Sequence, residues 1–248
     1  MLFASSTGAQ TLTVVNPDSI PAKKPSFFNK SSSYIAPSAL LGLGLLANNY
    51  KGLQTINLKI RETVLSQEDP GKYMKIDDRL QYAPAQAVFV LNAVGLKSRS
   101  NFADRVLLYG LSHYISKITV DNLKGVTNRL RPDGSDRRSF PSGHTATAFA
   151  AAEFMRLEYR DASPIYSIAA YTAAATTGAL RVQHNKHWFT DVIAGAGVGI
   201  LSTNLAYTIY PKLKNLVQDK LNVKASNFHV GPSYQYNKPG LSFSYSPQ

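Results

Sequence analysis

The sequence contains no cysteine among its 248 residues, and it has only one tryptophan and three methionines. The absence of cysteine excludes disulfide bonds, thiolate zinc sites, iron–sulfur clusters, a cysteine nucleophile and a lipid attached through a thiol. It does not identify a compartment, because a chain without thiols is equally suited to oxidising and reducing surroundings.

Acidic residues are also scarce, since 15 Asp and Glu face 27 Lys and Arg and leave a formal net charge of +12. This excess indicates an anionic partner and leaves nucleic acid, anionic lipid and a phosphorylated substrate as alternatives. Hydrophobic residues make up 44% of the chain and charged residues 17%, which excludes wholesale disorder. Long uncharged runs are few, and only residues 163–180 and 192–210 approach the length that crosses a bilayer.

Helical periodicity dominates the middle of the chain and predicts an all-α fold. We expect three regions: a flexible arm over residues 1–33, a bundle of about six helices over 34–215 and a short C-terminal β-hairpin within 225–248. The candidate helical segments are 34–47, 53–65, 84–96, 102–123, 142–159, 165–182 and 191–210. Within the last segment, Gly195, Gly197 and Gly199 predict a close approach between helices.

The two ends of the chain carry weaker signals. Residues 1–10 lack a charged start and a full apolar stretch, and we interpret them as the remnant of a signal peptide. Near the other end, apolar residues alternate on both sides of a turn signal at 237–240, which predicts the β-hairpin. This hairpin either folds onto the bundle, stays a loose tail or docks on another envelope component.

Three clusters of polar residues follow one another within 68 positions. The first runs from Lys124 to Arg131 and Pro132, the second is Pro-Ser-Gly-His at 141–144, and the third runs from Arg181 through His187 to Asp191. Lys124, Arg131 and Arg181 are cations, and the two guanidinium groups suit tetrahedral oxyanions. Ser142 and Gly143 stand before an apolar helix, where free N–H groups hold anions.

The histidines of these clusters supply a reaction. His187 and Asp191 lie four residues apart, so they share a helix face and the carboxylate orients the imidazole and favours its cation. The other ring nitrogen then serves as a nucleophile, and His144 donates a proton to the leaving group. With the three cations, this set predicts a phosphoryl-transfer site that needs neither metal nor cofactor.

The three clusters, in this order and spacing, resemble those of the type 2 phosphatidic acid phosphatase superfamily, which also contains bacterial acid phosphatases and vanadium haloperoxidases. The resemblance covers about residues 80 to 210, and residues 187–199 look like the forms found in Bacteroidetes-type bacteria. One position departs from the pattern, because the family often has serine directly before the third cluster's arginine and this chain has Leu180.

The resemblance implies a role for each matched residue. His187 attacks phosphorus and forms a phosphohistidine, Asp191 orients it, and His144 protonates the leaving oxygen. The phosphoryl oxygens are held by Lys124, Arg131, Ser142, Gly143 and Arg181. The implied enzyme is a metal-independent hydrolase of phosphomonoesters or diphosphates, with a phosphorylated lipid or a small phosphate ester as substrate.

Several alternatives stay open at this level. The chain is a membrane-associated lipid phosphatase of the bacterial cell envelope with a periplasm-facing site, or a soluble periplasmic acid phosphatase. A vanadium haloperoxidase and a non-catalytic envelope protein rank lower. Nucleic-acid binding is not expected, because residues 124–138 hold five basic residues without interleaved aromatics.

The remaining candidates receive structural interpretations. His113, His184 and His229 match no position of the three clusters, so we expect ordinary structural roles for them. Asp77 and Asp78 form an acidic pair without a partner cluster in the sequence, which predicts an exposed turn or helix end rather than a metal site.

Overall fold

A computed structural model describes residues 32–65, 76–221, 228–235 and 238–245 of the chain. The expectations for residues 1–10 and for nearly all of the arm at 1–33 lie outside these ranges. Residues 32 and 33 already belong to the first helix.

The described part is mostly helical, which confirms the predicted helical bundle. Its helices are α1 (Ser32–Leu46), α2 (Lys51–Leu65), α3 (Ile76–Leu80), α4 (Ala83–Ala93), α5 (Phe102–Thr127), α6 (Gly143–Tyr159), α7 (Pro164–Gln183) and α8 (Phe189–Leu221). The predicted count of about six is too low for the described residues. The five-residue α3 is too short to show a helical period, and α8 continues past the apolar run because charged residues ended the hydropathy signal but not the helix.

The C-terminal segment pairs through its backbone. Phe228–Gln235 (β1) and Lys238–Tyr245 (β2) run antiparallel, with Phe228 opposite Tyr245 and Gln235 opposite Lys238. Because an isolated two-stranded hairpin is marginally stable in water, the C-terminal β-hairpin and its role stay a prediction.

Helix α6 lies at the centre of the bundle and packs against α4, α5, α7 and α8. Its middle is rich in alanine, and these small side chains are fully buried and let neighbouring helices come close. Phe154 and Tyr159 then fill the end of the core away from the start of the helix. The bundle therefore holds the first turn of α6 at a fixed position.

The glycines of α8 set the distance to its neighbours. A Cβ atom on Gly195 would lie 2.6 Å from the Ser142 carbonyl oxygen, and one on Gly199 would overlap the Ala146 carbonyl oxygen. A Cβ on Gly197 would lie 2.5 Å from the Pro37 carbonyl oxygen in α1. The close approach predicted from these glycines is confirmed, and it brings the start of α8 against the start of α6.

Candidate active site

The three sequence clusters meet at one end of the bundle. The Ser142 N–H, before α6, donates to the Asp191 carbonyl oxygen at 3.0 Å. Lys124, near the end of α5, places its Nζ 4.0 Å from the position of a Cβ on Gly143. Helix ends and the loops between them thus bring together residues that are up to 67 positions apart in the sequence.

His187 lies buried in the loop before α8, with 2% of its surface exposed. Its Nδ1 is 2.7 Å from the Ser139 carbonyl oxygen. Because a carbonyl only accepts hydrogen bonds, Nδ1 carries the proton and Nε2 keeps a free electron pair. The expected direct bond to Asp191 is not formed, since that carboxylate oxygen lies 3.8 Å from Nδ1.

Asp191 is instead bound by three other groups. Its carboxylate accepts from the Arg129 guanidinium at 2.7 Å, from the Ser139 hydroxyl and from the Trp188 N–H at 3.0 Å. The Arg129 guanidinium also donates to the Thr190 hydroxyl at 3.1 Å. Asp191 and His187 are thus both bound to Ser139, the first through its hydroxyl and the second through its carbonyl.

Burial controls the charge of His187. Burial, with smaller contributions from the charges of Arg181 and Arg131, lowers the pKa of the imidazole to about 4 against the opposing attraction of Asp191. Asp191 raises the pKa in the expected direction, but desolvation outweighs this attraction, so the pKa stays below the ordinary histidine value. A neutral imidazole is the form that attacks as a nucleophile.

Two of the three predicted cations are held by carboxylates. Arg181, which is 9% exposed, donates to Asp77 at 2.6 Å, and Arg131 donates to Asp136 at 2.8 Å. The Arg181 Nε is buried without a hydrogen-bond partner among the described residues. Both guanidinium groups thus keep donors for an incoming anion.

Ser142 is the N-cap of α6. Its Oγ lies 2.9 Å from the Thr145 hydroxyl, and its N–H is already bound to Asp191. The first-turn N–H groups of Gly143 and His144 have no intrahelical acceptor by helix geometry. The predicted contact of Ser142 with phosphate stays a prediction, and the structure gives this residue a second role in capping the helix.

The acidic pair lies in the first turn of α3, which agrees with the expected helix end, but Asp78 alone of the two is exposed. Asp77 is fully buried against Arg181, and the Asp78 carboxylate lies 2.7 Å from His144 Nε2. The ligand atoms of Asp77, Asp78 and His144 lie within 4.8 Å of one another. Because the Arg181 guanidinium already supplies positive charge to this group, we assign the cluster to hydrogen bonding rather than to a metal.

Sequence reasoning missed several residues of this site. Arg129, Ser139, Asp77 and Asp78 all contact a predicted catalytic or phosphate-binding residue. The one available signal was the position of Arg129 within the first cluster. His184 lies buried 3.5 Å from Asp77, so it is part of the packing behind the site.

Comparison with known proteins agrees with the geometry. Residues 105–215, from α5 into α8, match the PAP2 superfamily and include all three clusters. This segment belongs to the PAP2 superfamily. The resemblance found in the sequence is thereby confirmed, and helices α1 to α4 lie ahead of the matched PAP2 segment.

One curated relative is the lipid A 1-phosphatase of Porphyromonas gingivalis, which is 44% identical over 138 residues. The match covers 55% of this chain and 31% of that relative, so the chain aligns with about a third of the relative's length.

Two solved structures resemble the chain. The PAP2-type phosphatidylglycerolphosphate phosphatase of Bacillus subtilis superposes with a TM-score of 0.53 at 22% identity and covers 72% of this chain and 97% of that one, which shows a shared fold. LpxE of Aquifex aeolicus gives a TM-score of 0.47 at 21% identity, over 62% and 95% of the two chains.

Proposed function

We propose that the chain is a phosphatase that hydrolyses phosphomonoesters or diphosphates on lipids through a phosphohistidine at His187. The observation that carries this proposal is the buried His187, with Nδ1 bound to the Ser139 carbonyl and with Arg131 and Arg181 close enough to lower its pKa. A neutral nucleophile beside two guanidinium groups is suited to attack on a phosphate anion. The PAP2 segment and the curated relative, which is named as a lipid A 1-phosphatase, support the same conclusion.

The proposed reaction has two steps and uses only groups of this chain. In the first, His187 Nε2 forms a bond to phosphorus while the bond to the leaving oxygen breaks and His144 donates a proton to that oxygen. Lys124, Arg131 and Arg181 bind the other phosphoryl oxygens. In the second, water attacks the phosphohistidine, His144 takes up the proton of the water, and phosphate leaves.

The surface of the bundle supports a lipid environment. Large apolar side chains stand exposed along α5 and α7, including Leu107, Tyr114 and Ile168. Helix α8 is long and apolar enough to cross a membrane over Phe189–Val217, with a mean hydropathy of 1.5, and it is the one such helix among the residues described. Its 18-residue apolar window is 67% buried, so most of this surface meets other helices rather than the exterior.

We propose that the protein lies at a membrane of the bacterial cell envelope, with the site at the bilayer surface on the periplasmic side. We expect the expressed chain to sediment with membranes, to resist extraction by high salt and to be released by detergent, because exposed apolar side chains bind lipid. Quantitative immunoblotting of each fraction measures this. Recovery in the salt wash or in the soluble fraction contradicts membrane association and favours the soluble acid phosphatase.

The substrate class is tested by a panel of phosphate esters in the presence of a chelator. The panel contains p-nitrophenyl phosphate, phosphatidate, phosphatidylglycerol phosphate, a polyprenyl diphosphate and lipid A. We expect at least one lipid to give a kcat/KM about 10-fold or more above the soluble ester, because binding energy from the lipid chain lowers the barrier at phosphorus. Vanadate is expected to inhibit the reaction as a phosphate analogue.

The competing functions give different results in the same panel. Equal rates on soluble and lipid esters indicate a non-specific acid phosphatase. Halide oxidation that needs vanadate and peroxide indicates a haloperoxidase. A folded chain that releases no phosphate from any ester contradicts the proposed hydrolase.

A further inference from the structure

Helix α3 lies outside the matched PAP2 segment, yet it supplies a carboxylate to the proposed general acid. Asp78 Oδ1 lies 2.7 Å from His144 Nε2, which is hydrogen-bonding distance. The two residues are 66 positions apart in the sequence. The Asp78 side chain is 57% exposed and the His144 side chain 30% exposed, so both reach solvent.

The position of Asp78 is set by its neighbours. Asp77, one residue earlier, is fully buried and bound to Arg181 on α7 at 2.6 Å. Gln81, which is 7% exposed, donates from its side chain to the Asp78 carbonyl oxygen at 2.9 Å. A five-residue helix held in this way places the exposed carboxylate at a defined point beside α6.

We propose that Asp78 is the positioning residue of the general acid His144 and that it sets both the orientation and the protonation of that imidazole. This inference rests on the proposed phosphatase function. With Nε2–H bound to the Asp78 carboxylate, Nδ1 is the nitrogen that faces the leaving group. In the first step the Nδ1 proton passes to the leaving oxygen as the P–O bond breaks and the bond from His187 to phosphorus forms. In the second step water returns a proton to Nδ1.

The charges around His144 come from several elements. Asp77 and Asp78 lie on α3 and Arg181 on α7, and Lys124 of α5 places its Nζ 4.0 Å from the position of a Cβ on the preceding residue, Gly143. Burial and Arg181 lower the pKa of His144, and the hydrogen bond to Asp78 opposes this shift. Loss of the carboxylate therefore lowers the pKa further. Because the acid must be protonated, the alkaline limb of the kcat/KM profile moves to lower pH.

The test compares two leaving groups in the full chain in detergent. An alkyl phosphate leaves as a strongly basic alkoxide and needs the acid, whereas p-nitrophenolate leaves readily without it. We expect Asp78→Asn to lower kcat/KM on the alkyl phosphate about 100-fold, at the lower end of effects for general acids, and to change kcat/KM on p-nitrophenyl phosphate much less. Asp78→Glu is expected to restore part of the loss. Asp161→Asn, whose side chain is 85% exposed, is the matched control.

A second measurement is independent of turnover. Histidine-selective NMR of wild type and Asp78→Asn is expected to show a lower pKa for His144 in the variant. Equal losses on both substrates, or an unchanged His144 pKa, overturn the inference and leave the proposed function intact. If wild type cleaves neither ester, the proposed function fails and the catalytic role fails with it, whereas the NMR shift still decides whether Asp78 controls the protonation of His144.

Discussion

Replacement of His187 by alanine is expected to reduce phosphate release by about four orders of magnitude, as is typical when the nucleophile of a covalent mechanism is removed. The reason is that the proposed first step forms a bond between His187 Nε2 and phosphorus. The measurement is single-turnover hydrolysis of a radiolabelled phosphate ester, with a denaturing quench that traps the phosphoenzyme. Wild type is expected to give an acid-labile, base-stable phosphohistidine, and the variant none.

The matched control is His113→Gln, because His113 lies on α5 beside Tyr82 and Tyr109 and outside the site. His187→Gln serves as a second variant that keeps most of the side-chain volume in the buried position. A variant at His187 that retains wild-type turnover, or that still forms the phosphoenzyme, refutes the assignment of the nucleophile.

His187 is expected to account for the acidic limb of the pH profile of activity. The pKa of His187 is lowered to about 4, so the nucleophile is neutral near pH 7 and becomes protonated only in strong acid. The unfolded chain has an ordinary histidine pKa of about 6.5. Protonation therefore favours the unfolded state as the pH falls below that value, and acid is expected to reduce stability and, near pH 4, also nucleophilic attack.

The second large effect is expected for Arg129, which sequence reasoning did not assign to the site. Arg129→Ala leaves the fully buried Asp191 carboxylate without its guanidinium partner. Breaking a buried ion pair from one side costs about 3–5 kcal/mol, so we expect a loss of this size in the free energy of unfolding. Denaturant unfolding in detergent, followed by circular dichroism, measures it.

Two further variants separate the ion pair from a general effect of removing an arginine. Arg137→Ala removes an exposed guanidinium from the same loop and is expected to change the free energy of unfolding by less than about 0.5 kcal/mol. Asp191→Asn in the Arg129→Ala background is expected to recover part of the loss, because an amide tolerates burial better than an unpaired carboxylate. Equal stability of the Arg129 and Arg137 variants contradicts this account.

The predictions for His187 and Arg129 concern residues that are connected through Ser139. The Ser139 hydroxyl binds the Asp191 carboxylate while its carbonyl accepts from His187. Loss of Arg129 is therefore expected to disturb the nucleophile as well as the fold. We therefore expect the stability of the bundle and the orientation of the proposed nucleophile to depend on the same buried carboxylate.

The helical bundle and the three catalytic clusters were readable from the sequence for local reasons. A helix shows its buried face as a repeat over neighbouring residues, and each cluster keeps its reacting groups within a few positions. The spacing of Gly195, Gly197 and Gly199 likewise recorded a close helix approach that the structure confirms. Two helix assignments failed for the same local reasons. Helix α3 is too short to show a helical repeat, and the end of α8 is too polar to continue the apolar pattern.

The pairings within the site were decided only by the tertiary structure. Asp78 meets His144, Asp77 meets Arg181 and Arg129 meets Asp191 across long stretches of chain. Such contacts leave no periodic trace, and a backbone carbonyl such as that of Ser139 carries no signal in the residue type at all. The sequence by itself determined which groups take part in the proposed chemistry. Packing decided which partner binds each of these groups. The free-energy cost of a charge or of an unpaired polar atom depends on how deeply it is buried, and the spacing of residues in the sequence does not show this.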